Sequence, residues 1–81
     1  MISLVGHKDP ARVLRNAVLD DVSPAKKGTE IEYWRGATEL DPVDTRKAVF
    51  IAASELAAMG RVFLYQRLIS SGNYSYIAKV I

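Results

Sequence analysis

Eighty-one residues, 49% of them apolar, with a net charge of +2 and a mean hydropathy of +0.04, describe one small folding unit and argue against a disordered chain. The absence of cysteine removes disulfide staples, thiolate nucleophiles and cysteine metal sites. The isoelectric point of 9.1 follows from a slight excess of Lys and Arg, short of the dense charge of a DNA-coating protein.

In chain order, Ile2 to Val5 reads as a short strand. Asp9-Pro10 starts a helix, with Asp9 as N-cap and Pro10 at the first helical position, where its missing N–H costs nothing. Val13, Leu14, Ala17 and Val18 follow at helical spacing as one apolar stripe. Asp20-Asp21 opposes the dipole at the far end, so the helix is expected to stop near Leu19 or Asp20, with Ser23-Pro24 as a break. Thr29 to Arg35 alternates as a strand. Strict alternation puts Glu30, Glu32 and Trp34 on one face and Ile31, Tyr33 and Arg35 on the other.

After a connection from Gly36 to Leu40, Asp41-Pro42 repeats the helix-start signal, and Asp44 adds a favourable charge to the first turn. This helix should run to Met59 and stop at Gly60. Val49, Ala52, Ala53, Leu56 and Met59 form its apolar centre, and Phe50 and Ala57 widen that arc. Ile51 sits on the polar arc with Lys47, Ser54 and Glu55. Two strands close the chain, Val62 to Ile69 and Tyr74 to Ile81, around the turn residues Ser70-Ser71-Gly72-Asn73. A loop of two or four residues would put Phe63 and Tyr65 on the face of Tyr74 and Tyr76, whereas a loop of three would separate them. The order is (β)αβαββ. The expected fold is a small α+β domain over residues 1–81. It comprises an antiparallel sheet of three or four strands, two helices packed on one face and a C-terminal β-hairpin.

The sequence argues against several chemistries. His7 is the lone histidine, no G-x-S-x-G elbow or glycine-rich phosphate loop exists, and the carboxylate pairs Asp20-Asp21 and Glu30/Glu32 match no calcium-loop spacing. No catalytic, cofactor or metal site is therefore expected, and the chain reads as a non-enzyme. The start M-I-S-L-V-G-H-K-D-P lacks a basic n-region and an apolar h-region. The longest apolar run, Ala48 to Ala53, is far short of a bilayer span, so a cytoplasmic protein without membrane contact is expected.

What remains is binding. Trp34 beside two acids reads either as an exposed anchor or as a side chain folded over the core edge. Ile51 suggests a contact outside the first core layer. The hairpin is apolar on both faces, with Val62, Leu64 and Leu68 on one and Phe63, Tyr65 and Ile69 on the other. Helices can cover one face, and the second calls for a partner such as another copy. Trp34, Ile51, Tyr74 and Tyr76 are the expected protein interface of a homo-oligomer.

From Arg61 to Ile81 there is no acid. A helix running directly into such a hairpin resembles the end of a winged-helix domain, over about the last half of the chain. The resemblance implies DNA contact by the hairpin as a wing, through Arg61, Arg67 and Lys79 with Arg12 and Arg15. It departs where a winged helix has two helices joined by a turn before the hairpin, and the arc exposed by the second helix carries few basic side chains. Arg67 and Lys79 also fit the charges that edge strands carry against aggregation. The expectation is a non-enzymatic protein-contact module, of the accessory or regulatory kind common in bacterial and phage genomes. DNA binding is the second reading.

Overall fold

The computed structural model describes residues 1–36 and 43–81, with backbone alone at 43 and 44. Helix α1 spans Pro10–Leu19, and the Asp9 carboxylate accepts the Arg12 N–H at 3.2 Å, as an N-cap should. Its buried line is Ala11, Leu14 and Val18, with Val13 and Ala17 half-buried beside it. The stripe is thus rotated from the expected one, because α1 packs chiefly on the second helix and less on the sheet. The Asp20 carboxylate accepts the N–H groups of Val22 at 2.8 Å and Ser23 at 3.1 Å, and this local turn ends the helix.

Helix α2 spans Val43–Ala58. The Asp41-Pro42 start and the Asp44 side chain lie outside the described residues. At the other end the Gly60 N–H donates to the Ala57 carbonyl and the Arg61 N–H to the Leu56 carbonyl, each at 3.0 Å, with Gly60 at φ +74°. This is the paired bonding of a Schellman cap, which needs the left-handed conformation that glycine adopts freely. Val49, Ala52, Ala53 and Leu56 are buried. Met59, expected in that row, is 57% exposed, because the helix stops at Ala58 and the cap turns Met59 outward.

Strands β1 (Ile2–Ser3), β2 (Glu30–Gly36), β3 (Val62–Ser70) and β4 (Asn73–Val80) form one sheet in the order β1-β2-β4-β3. The expected antiparallel pairing holds for β2, β4 and β3, while β1 lies parallel to β2. The reason is α1 itself: a helical crossover brings the chain back in the same direction. The hairpin strand β4, last in sequence, is interior, and β3 is a nine-residue edge.

Two register slips decide which side chains share a face. In the hairpin, Val62 pairs with Val80 and Leu68 with Tyr74, but the register slips between Leu68 and Ser70. Only Ser71 and Gly72 separate the strands, with Gly72 at φ +76°. The slip gives the parity of a three-residue loop, so Phe63 and Tyr65 lie opposite Lys79 and Ile77, on the other face from Tyr74 and Tyr76. In β2, Glu32 pairs with Ile77 and Trp34 with Tyr76, leaving Tyr33 as a bulge. The strict alternation expected of β2 therefore fails at its centre. Trp34 moves to the helix-covered face and Arg35 to the opposite one.

The core lies between the helices and the covered face, built from Leu4, Leu14, Val18, Ile31, Tyr33, Val49, Leu56, Val62 and the small side chains of Ala11, Ala52, Ala53 and Ala78. Ile77 is equally inaccessible to water but belongs to the other face.

Candidate functional site: the open sheet face and its free edge

The uncovered face has a polar centre. Glu32 is 1% exposed. The Arg35 guanidinium donates twice to its carboxylate, Nε to Oε2 and Nη2 to Oε1, both at 2.9 Å. Ser3 Oγ on β1 donates to Oε1 at 2.8 Å, and Ser75 Oγ on β4 donates to Oε2. Burial works against the charged form, but the donors from Arg35, Ser75 and Ser3 outweigh it and hold the carboxyl below its ordinary range. The carboxylate is covered yet sits just under the surface of a single sheet layer, and its Arg35 partner is half in water. One charge thus joins three elements: β1, β2 and the interior strand β4.

Beside it, Tyr65 on β3 reaches across β4, and its hydroxyl donates to Glu30 Oε2 on β2 at 2.6 Å. Ile77 lies on β4 between these strands, opposite Tyr65 on one side and Glu32 on the other. The hydrogen bond lowers the Glu30 pKa and raises that of Tyr65. Arg67 adds a 3.6 Å ion pair to Glu30 and lies 6.0 Å from the Tyr65 ring centroid. Phe63 stacks loosely on Tyr65, centroids 6.3 Å apart, and stays 59% exposed. Phe63 shares the edge strand with two more large exposed apolar residues, Leu68 at 61% and Ile69 at 51%.

The four expected interface residues do not form one patch. Trp34 and Tyr76 are cross-strand partners on the helix-covered face, both half-buried, so Trp34 does fold over the core edge. Tyr76 packs with Phe50 at 5.0 Å and with Tyr33 at 6.4 Å between centroids, and Tyr74 adjoins it at 6.3 Å. Burial pushes the Tyr33 hydroxyl up to about 12, helped by Tyr76. Ile51 is half-exposed on the arc of α2 that points away from Val49, Ala53 and Leu56.

The basic set is divided as well. Arg12 pairs with Asp9 at 3.6 Å and Arg15 with Glu55 at 3.4 Å on the helix layer. The Arg61 guanidinium donates to the Val18 carbonyl at 3.3 Å, satisfying the C-terminal end of α1. Arg67 and Lys79 lie on the open face, with Lys79 on the interior strand β4 and only Arg67 on an edge.

The Glu32 network was half-visible as an alternating Glu pair. Its donors were not, because Arg35 reaches Glu32 only through the Tyr33 bulge and Ser75 only through the β2–β4 register. Near the start of α1, His7, Lys8, Trp34 and Arg35 border a cleft of about 320 Å³. Among the described residues no cluster of three or more His, Asp or Glu side chains converges on a point that could hold a metal, and no helix is long and apolar enough to cross a membrane. Comparison with known proteins finds no matching family model, no matching curated protein and no matching solved structure.

Proposed function

We propose that this chain is a small non-enzymatic binding module of the cytoplasm that works through protein–protein contact, with self-association as the form of that contact. The observation that carries the reading is the edge strand β3, where Phe63, Leu68 and Ile69 stand 59%, 61% and 51% exposed on one nine-residue strand. Scattered exposed apolar residues are ordinary, but three on one unpaired edge are the pattern that association covers. The polar network of Glu32 supports this edge from within the sheet, because it ties β1, β2 and β4 together behind β3.

DNA binding by the hairpin as a wing is the second reading. It is favoured by one observation: Arg67 and Lys79 share the open face with the exposed Phe63 ring. Light scattering over a dilution series, with and without high salt, separates the two. The expected result is a mass above the monomer that persists at high salt, because apolar contact resists screening. A monomer at every concentration, together with steeply salt-dependent binding of a labelled duplex in fluorescence anisotropy, would replace the first reading by the second.

A further inference from the structure

We infer that β3 pairs antiparallel with β3 of a second copy about a two-fold axis at Gln66, joining two four-stranded sheets into one of eight strands; this rests on the self-association reading above. Among the described residues the sheet has two edges and only one is long: β1 has two residues and β3 has nine. One side of the β3 backbone bonds to β4, so the N–H and C=O groups pointing the other way have no strand beside them among the described residues.

Symmetry then limits the register. An axis normal to the sheet keeps the open face of both copies on one side, so each residue meets one of the same parity. An axis at Leu64 sets Arg61 against Arg67 of the second copy and leaves Leu68 and Ile69 past the start of its β3. An axis at Tyr65 places Leu64 against Gln66 and Phe63 against Arg67. An axis at Arg67 opposes two guanidinium groups. The axis at Gln66 sets Leu64 against Leu68 on the helix side and brings Phe63 alongside the Ile69 bulge, each contact occurring twice. Arg67 then faces the Tyr65 ring, repeating between copies the cation–ring contact already present within one chain at 6.0 Å. Of these registers it alone brings Phe63, Leu68 and Ile69 each to an apolar partner and opposes no like charges. The segment Leu64-Tyr65-Gln66-Arg67-Leu68 is complementary to its own reverse.

The absence of native cysteine makes the test direct. Residues opposite one another on antiparallel strands lie about 4.5–5.5 Å apart at Cα, inside the range a disulfide spans. Gln66→Cys, at an exposed position, should form a covalent dimer nearly completely under mild oxidation, while Ile51→Cys and Ser71→Cys should remain largely monomeric on a non-reducing gel. Adding Leu68→Lys to Gln66→Cys should suppress that dimer. In the native background Leu68→Lys should raise the dimer dissociation constant on the order of tenfold or more, since the pair is lost twice. Circular dichroism confirms that each variant is folded. A dimer by light scattering whose Gln66→Cys form does not cross-link overturns the β3 pairing and leaves self-association standing through another surface. Cross-linking unchanged by Leu68→Lys marks random collision and likewise overturns the pairing. A native chain that is monomeric at all concentrations overturns both.

Discussion

Glu32 shows how much one side chain can contribute when the sheet around it is thin. A carboxylate that is 1% exposed on an uncovered sheet face persists only because Arg35, Ser3 and Ser75 supply its donors. Glu32→Gln keeps the shape, removes the charge and sets an amide against one of its former donors. It should lower unfolding free energy by about 2 kcal/mol, read from urea melts at neutral pH. The effect should shrink as pH falls below 4.5, where the stability added by the depressed carboxyl is progressively lost. Loss of stability equal above and below that pH would show that the charge contributes nothing. Tyr65→Phe tests the neighbouring bridge: without its hydroxyl donor, the Glu30 pKa should rise toward the ordinary 4.5, followed by carboxyl chemical shifts in an NMR titration.

At the scale of elements, caps and bulges govern where the secondary structure stops and turns. Gly60 sits at φ +74°, and a Cβ added there would meet no atom within 4 Å. Gly60→Ala should therefore cost about 1 kcal/mol from backbone strain alone, with no packing loss, seen as a lower urea midpoint at unchanged slope. A neutral result would mean that the cap relaxes to another turn. The Tyr33 bulge has the wider consequence, since it sends Trp34 toward Tyr76 and Arg35 toward Glu32. No local propensity encodes it: Tyr33 and Trp34 both suit a strand, and only the need to bury two adjacent aromatic side chains on one face, while Glu32 finds a cation on the other, selects the slip.

For the whole molecule, stability rests on a narrow core rich in alanine, where each large side chain matters. Leu14, fully buried on α1, should cost about 3 kcal/mol when cut to Ala, whereas Leu68→Ala should leave the unfolding free energy of the monomer within about 0.5 kcal/mol. The contrast, measured by chemical denaturation at a concentration where the chain is monomeric, separates core from contact surface. The pH dependence is also global. Glu32, Glu30 and Asp20 all have folded pKa values below their ordinary ones of 4.5 and 3.8. A depressed folded pKa adds stability that is fully present above the unfolded value and is lost as pH falls through the folded one. The melting temperature should thus be flat from neutrality to about pH 5 and fall steeply below about pH 4.5, and Glu32→Gln should make that fall shallower.

The sequence by itself determined the α+β class, the order of elements, the Asp9 cap, the Gly60 stop and the apolar line Val49, Ala52, Ala53 and Leu56. These depend on residues within one or two turns of each other, so local chemistry suffices to find them. Tertiary structure alone decided that β1 runs parallel to β2, that β4 lies inside the sheet and that β3 is its free edge. It also decided that Phe63 and Tyr65 part from Tyr74 and Tyr76, and that Glu32 gathers Ser3, Arg35 and Ser75. Each of those outcomes turns on strand register. A shift of one residue exchanges the two faces of a strand, and register is fixed by pairing between segments tens of residues apart.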